Sequence, residues 1–373
     1  MRINRKLWSL LPLEQIDPGA RQQIFDCLRD DRVLHMAVMP DVHTGYGLPI
    51  GGVVLVQEHV SPGYVGYDIG CGMCAVNTGV PATNLLPDRV ARQELFARIM
   101  KQIPTGLGGH HRSDPYPTFV SASEDKALTT KVNRSVKGQL GSLGSGNHFI
   151  EISADRQGLC WITVHSGSRN AGHSVASYYM AQAKRLGDRF LSLHSEIGQA
   201  YLQDMIYCQN FALANRLKIV EGVLRILGFS GADIDRLTTE NLINENHNHA
   251  ELQDGNLVLH RKGATPATDG QKGIIPANMR DGIYVTVGLG NRDYLQSASH
   301  GAGRVMSRSE GKRRVKLDNF RETMKGIIAK VDKATLDESP FVYKEISSVL
   351  AAQEGIVIEV INHLRPLVNI KGA

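Results

Sequence analysis

No stretch of 18 apolar residues occurs in this 373-residue chain, so no membrane-spanning helix is expected. Cysteine is scarce and poorly placed for cross-linking: Cys27, Cys71, Cys74, Cys160 and Cys208 are odd in number and irregular in spacing. The opening residues, MRINRKLWSLLPLEQIDPG, hold an apolar stretch too short for a secretory signal, with no small-residue cleavage site after it. The expected location is therefore cytoplasmic, with reduced thiols. Internal repeats, low-complexity tracts and linker-like shifts of composition are all missing, and one domain over residues 1–373 is the economical expectation. Common nucleotide motifs are missing too. GSLGSGNH lacks the Gly-Lys-Ser/Thr ending of a P-loop, and LGSLGSG is not set in a βαβ unit with a later acidic residue.

What remains is a composition of 42% apolar and 21% charged residues, that of a globular protein. Its 38 glycines exceed the usual share and gather around polar motifs, where backbone can approach a ligand closely. The net charge of +5 permits a polyanionic partner without requiring one. Residues 31–60 read as strands and turns, and the stretch 84–103 as a helix. Residues 104–140 read as a long loop and 172–228 as two long helices. The stretches 256–260 and 283–288 read as strands, and 320–331 as helical. Residues 355–370 are equally helix-like and strand-like, because short apolar runs do not separate by period.

The segment GYDIGCGMC at 66–74 is the richest in chemistry. It sets the carboxylate of Asp68 and the thiol of Cys71 three residues apart in a glycine-rich turn. Four histidines sit in glycine- and asparagine-rich surroundings: His148 in GSGNHFIE, His165 in HSGSR, His247 in HNHAE and His300 in SHGAGR. Thiolate, carboxylate and imidazole together suit softer ions such as manganese, zinc or cobalt. Cys71-Gly-Met-Cys74 is also C-x-x-C, a redox or half-zinc signature, but it opens no evident helix and has no second copy. Asp68 and Cys71 as ligands, with Cys74 as a small buried apolar residue, fits better. Glu151 can share a strand face with His148 or support it from behind. His247 and His249 flank Asn248, and His247 is favoured as the ligand. Arg304 and Arg308 suit anion contacts. His35, His59, His173, His194 and His363 read as exposed or satisfied. The basic run from Lys312 to Lys316 is a solvated face or, beside a nucleotide site, a track for a phosphate backbone.

Across almost its whole length the chain resembles the RtcB family of RNA-splicing ligases. The resemblance rests on MPDVHTGYGLPIGGV (39–53), VGYDIGCGM (65–73), GSLGSGNHFIEI (141–152), HSGSRNAG (165–172), HNHAE (247–251), HRKGATPA (260–267), SHGAGRVMSR (299–308), YKEI (343–346) and NIKG (369–372), in the family's order. It implies an α+β fold, with mixed β-sheets packed centrally and flanked by helices. It also implies an RNA ligase of tRNA splicing or RNA repair. Such an enzyme joins 2′,3′-cyclic phosphate or 3′-phosphate ends to 5′-hydroxyl ends with GTP and two Mn²⁺ ions. By the same resemblance Cys71 bridges the two ions, Asp68 and His148 complete one, and His165 and His247 complete the other. His300 is the residue that carries GMP. Asn147, Glu151, Asn248, Gly301, Ala302, Gly303, Arg304, Tyr343 and Lys371 hold the nucleotide, with Lys371 reading the guanine. Arg169, Lys312, Arg313 and Arg314 are candidate RNA contacts. Asn278 and Ile283 stand where many members carry hydroxyl-bearing residues, so one nucleotide contact is expected to differ. A metal-dependent phosphoesterase and an inactive RNA-binding protein are the competing readings.

Overall fold

Two sheets, both rich in β-branched residues, organise the chain in a computed structural model that describes residues 1–106 and 115–372. The smaller sheet has five strands in the order Leu7–Ser9, Val33–His43, Ile50–Gln57, Leu257–Lys262 and Asn248–Gln253. All its pairings are antiparallel except the first, which is parallel. The larger sheet runs Lys272–Asn278, Gly282–Gly288, Ile358–Lys371, Phe149–Ala154, Leu159–Ser166, Gly72–Pro81 and Leu242–Asn246, with Ile328–Ala329 added beside Ile358–Lys371. With helices packed on these mixed sheets, the architecture is α+β, as expected.

Alternation along the larger sheet separates a core face from a site face. Cys74, Val76, Ile150, Ile152, Ile162, Val164, Val368 and Ile370 point to one side. There they meet Leu95 and Ile99 of the helix Arg89–Gln102, and Ile219, Val220 and Val223 of the helix Glu196–Leu227. Burying side chains of this size contributes about 1.5–3 kcal/mol each. The intervening residues Met73, Phe149, Trp161, Ile283 and Leu364 line the other side. Directly paired residues share a face. The register Lys371–Phe149, Phe149–His165 and His165–Met73 therefore sets Lys371, Phe149 and His165 in one row on the site face.

Most expected elements are present. The two long helices are Arg169–Arg185 and Glu196–Leu227, and the ambiguous final stretch is the strand Ile358–Lys371. Two expectations need correction. A long loop over 104–140 is contradicted by the helix Lys126–Gln139. Asp125 caps this helix by accepting from the Leu128 amide at 2.7 Å, and Leu128, Val132 and Val136 pack at four-residue spacing into the core around Tyr179 and Met205. Its exposed face is so polar that the apolar stripe is hard to see in the sequence. Residues 107–114 of the same stretch lie outside the described residues. A helix over 320–331 is contradicted in its second half. The helix covers only Leu317–Thr323, Gly326 then takes φ +94°, and Ile328–Ala329 joins the sheet.

Candidate metal and nucleotide site

Three glycine-rich turns meet at the end of the larger sheet and are fixed from below by the helix Glu196–Leu227. Its Asn215 and Arg216 are fully buried. The Asn215 Oδ1 accepts from the Gly141 amide at 2.7 Å and the Ser142 amide at 3.1 Å, and its Nδ2 donates to the Gly167 carbonyl at 3.2 Å. Arg216 donates to the carbonyls of Gly70 at 2.8 Å and Ser166 at 3.0 Å, and to Asn244 Oδ1 and Asn246 Oδ1, both at 2.7 Å. One helical turn thus holds the segments that present Asp68, Cys71, His148 and His165.

Two groups of donor atoms result, one from Asp68, Cys71 and His148 and one from Cys71, His165 and His247, each within 4.8 Å. Cys71 belongs to both. Its Sγ lies 3.4 Å from His148 Nε2 and 3.3 Å from His165 Nε2. Asp68 Oδ2 is 3.1 Å from His148 Nε2. Gly144 is needed beside this cluster: at φ +95° its missing Cβ would collide with Arg169 and His148.

The orientation of the rings bears on what the cluster can hold. His148 Nδ1 faces the Leu143 carbonyl at 2.9 Å, His165 Nδ1 the Asn147 carbonyl at 3.3 Å, and His247 Nδ1 the Asn248 side-chain oxygen at 3.4 Å. Each Nδ1 therefore carries its proton, and the Nε2 lone pairs turn inward. His165 and His247 point theirs at each other across 3.0 Å. Burial, then neighbouring imidazoles, holds both rings well below the usual histidine range, so neither supplies positive charge. Two facing lone pairs beside a sulfur and a carboxylate fit a pair of divalent cations. Cys74, by contrast, is sealed in the apolar core, where burial pushes its thiol up to about 12.

Next to the cluster is a cavity of about 300 Å³. Asn147, Glu151, His165, His300, Gly301, Ala302, Gly303, Arg304, Tyr343 and Lys371 all line it. Asn278 and Ile283 form part of the same wall. Asn248 does not line it. Its side chain accepts from the Gly263 amide at 2.8 Å and braces His247. The His300 ring lies 4.8 Å from that of His247, centroid to centroid, on the border between cavity and cluster. Its Nδ1 is 2.6 Å from Oδ2 of the fully buried Asp41, which leaves Nε2 as the free nitrogen. Gly303 permits this approach, since any Cβ there would strike the Asp41 carbonyl.

A buried carboxylate, Glu338, organises the far wall. Lys371 Nζ is 3.0 Å from its Oε2, Tyr343 donates to the same oxygen at 2.7 Å, and Arg308 donates to Oε1 at 2.6 Å. Burial would raise the Glu338 carboxyl, but the charges of Lys371 and Arg308 outweigh it and hold the group below its usual range. Lys371 is thus a locked wall residue, 4.9 Å from the centre of the Phe149 ring. Glu151 behaves oppositely: burial pushes its carboxyl up to about 8, against hydrogen bonds from Asn369 and Ser153 and the Lys371 charge.

Of the candidate RNA contacts, Arg169 lines a second groove that also touches Asp68 and His148. Lys312, Arg313 and Arg314 are exposed on the helix Arg308–Arg314, with Lys312 3.6 Å from Asp337 and Arg314 2.6 Å from Glu310. Sequence reasoning assigned no role to Asp41, Glu338 or Arg216. Asp41 could have been noticed as the acid in MPDVHTGYG; nothing local marks the other two.

The profile of the family described as tRNA-splicing ligase RtcB matches residues 28–122 and 117–372. The chain is 35% identical to the RNA-splicing ligase RtcB of Escherichia coli K12, over 98% of this chain and 97% of that protein. It is 30% identical to the RNA-splicing ligase RtcB of Mycobacterium tuberculosis, over 90% and 96%. It is 29% identical to the tRNA-splicing ligase RtcB of Thermococcus kodakarensis, over 100% and 98%. The extent of these matches, across every segment that builds the cluster and the cavity, shows that the chain belongs to the RtcB family of tRNA-splicing ligases.

Proposed function

We propose that this protein is an RNA ligase of tRNA splicing or RNA repair, formed as one catalytic domain and acting in the cytoplasm. It joins RNA ending in a 3′-phosphate or 2′,3′-cyclic phosphate to RNA ending in a 5′-hydroxyl, and it consumes GTP. The observation that carries this reading is the short contact between Asp41 Oδ2 and His300 Nδ1, which frees Nε2 beside both a nucleotide-sized cavity and a cation-fitting cluster.

Two Mn²⁺ ions, one on Asp68, Cys71 and His148 and one on Cys71, His165 and His247, would neutralise phosphate charge and orient the leaving group. His300 Nε2 attacks the α-phosphorus of GTP. An N–P bond forms, the bond to the β-phosphate oxygen breaks, and pyrophosphate leaves. The ring becomes cationic, and Asp41 offsets that charge through the Nδ1 proton. An oxygen of the RNA 3′-phosphate then attacks the same phosphorus. The N–P bond breaks, the ring returns to neutral, and the RNA end carries GMP through a diphosphate. The 5′-hydroxyl attacks the RNA phosphorus, loses its proton to solvent, and expels GMP. A cyclic phosphate is first opened by water to the 3′-phosphate. Asn147, Glu151, the 301–304 backbone and Tyr343 hold the nucleotide, and Lys371 faces the guanine O6.

A phosphoesterase on the same metals needs neither a positioned His300 nor a walled nucleotide cavity. A strand carrying a radiolabelled 3′-phosphate tests the choice. Ligation moves the label, only when GTP is supplied, into a phosphatase-resistant linkage within a longer product. GTP-independent release of the label as inorganic phosphate would favour the phosphoesterase.

A further inference from the structure

The second groove, about 420 Å³, opens on the outer side of the metal cluster. Its walls include Tyr67, Asp68, Arg134, His148, Arg169 and His173. Asn147 lines both this groove and the nucleotide cavity, so the two meet beside the cluster. Two aromatic rings, Tyr67 and His173, line this groove, and a third, Tyr46, continues the row from Tyr67 beyond it. Tyr67 stacks on His173 with centroids 5.1 Å apart and planes at 23°. Tyr46 follows 5.7 Å from Tyr67, tilted by 43°. The tyrosines are 58% and 42% exposed, for Tyr46 and Tyr67 respectively. They come from separate loops, and Tyr67 is the residue immediately before Asp68.

Other stacked pairs in the molecule have a structural use. In Trp8–His35 and Tyr284–His363 the histidine is tied to a backbone carbonyl, Asp293 at 2.9 Å and Asp281 at 2.8 Å. Among the described residues His173 has no such anchor: beyond its stacking on Tyr67, its ring nitrogen meets the Ser177 hydroxyl, at 3.4 Å. Arg134 is exposed, and with Arg169 it brings two guanidinium groups to the same groove. Aromatic faces beside cationic side chains suit single-stranded nucleic acid, whose bases stack and whose phosphates seek charge.

We infer that Tyr46, Tyr67 and His173 form a stacking platform for the unpaired bases of the RNA end that enters the metal cluster. Arg134 and Arg169 hold its backbone. The inference rests on the reading of the chain as an RNA ligase. It adds where the strand lies and requires the entering end to be single-stranded. Stacking is tolerant of base identity, so the platform takes any terminal sequence but not an end buried in a duplex.

The test combines Tyr67→Ala, Tyr67→Trp and Tyr46→Ala with a fluorescein-labelled single-stranded RNA bearing a 3′-phosphate. A second RNA has abasic terminal nucleotides. Binding is followed by anisotropy, and protein labelling from GTP without RNA serves as the reference. The expected result is that Tyr67→Ala weakens binding of the intact RNA about 5- to 100-fold. Tyr67→Trp should restore it, and the abasic RNA should not distinguish Tyr67→Ala from the unaltered protein. Equal affinity of the variants for intact RNA would overturn the inference, as would an equal loss with abasic RNA. If Tyr67→Ala also loses the GTP reaction, the Asp68 turn has been disturbed and Tyr46→Ala decides: weaker binding supports the platform and unchanged binding overturns it. If the unaltered protein neither reacts with GTP nor ligates, the ligase reading itself fails, whatever the variants bind.

Discussion

Asp41 and His300, 259 residues apart in sequence, meet through a 2.6 Å contact between Oδ2 and Nδ1. Asp41 is fully buried, and its second oxygen has no hydrogen-bond partner among the described residues, so its interaction is directed at this one ring. Asp41→Asn should slow transfer of GMP to the protein by about 100-fold or more, since an amide neither offsets the imidazolium nor enforces the tautomer. Metal content should be unchanged. The check is the single-turnover rate of protein labelling by GTP; a rate within a few-fold of the unaltered protein would remove Asp41 from the account.

The two neighbouring cysteines should separate cleanly. Cys71→Ala removes an atom shared by both donor groups, so the purified, dialysed variant should retain clearly less manganese and lose ligation. Cys74→Ala trims a side chain in the apolar core and should cost about 1 kcal/mol of stability while leaving metal content intact. Metal analysis by mass spectrometry and a melting curve on each variant provide the comparison. Equal metal loss in both would contradict the assignment.

Lys371→Ala should narrow the preference for GTP over ATP by about ten- to a hundredfold, the worth of a partly desolvated charged hydrogen bond. The lysine is paired with Glu338 within a wall that also contains Arg308 and Tyr343, so the cavity should keep its shape through the remaining pairs. Steady-state kcat/KM for both nucleotides measures the effect. An unchanged ratio would show that the ammonium does not face the base.

Glu151 gives a pH dependence whose sign is fixed. Its folded-state carboxyl lies at about 8, above the ordinary 4.5, because burial penalises the ionised form. A raised carboxyl contributes stability that is complete below about pH 4.5 and lost as pH rises to about 8. Glu151→Gln should therefore lose less melting temperature than the unaltered protein between about pH 5 and pH 8. Parallel melting curves across that range, fitted for the difference, test it.

Arg216→Met should deprive the carbonyls of Gly70 and Ser166 and the side-chain oxygens of Asn244 and Asn246 of this donor. Each unsatisfied acceptor costs about 1–3 kcal/mol. The melting temperature should fall by several degrees, and manganese affinity should fall with it, because the turns that carry Asp68 and His165 lose their common anchor. A variant with lowered stability but unaltered metal affinity would show that the anchor is not needed for the cluster.

The sequence shows much of the cluster because its donor residues sit in segments that packing alone does not explain. Asp68, Cys71, His148 and His165 each lie in or beside glycine-rich turns, and His247 lies in the asparagine-rich stretch NENHN. The helix Lys126–Gln139 is not legible because ten of its fourteen positions read as polar or glycine, and its stripe needs the neighbouring helices to be recognised. The strand Ile358–Lys371 is ambiguous because its apolar residues fit either period until its partners on both sides are known. Asp41, Glu338 and Arg216 escape for a different reason. Each acts through at least one partner 30 or more residues away, as in Asp41 with His300, Glu338 with Lys371 or Arg216 with Gly70, and no local pattern encodes such a contact.

The central claim is that His300 Nε2 forms a covalent bond to GMP. Incubation with GTP and Mn²⁺, followed by peptide mass spectrometry under alkaline conditions, tests it most directly. The account predicts a GMP mass on the peptide containing His300, stable to base and lost in acid as expected for a phosphoramidate, and absent from His300→Ala. An adduct on another residue, or one that persists in His300→Ala, would contradict it.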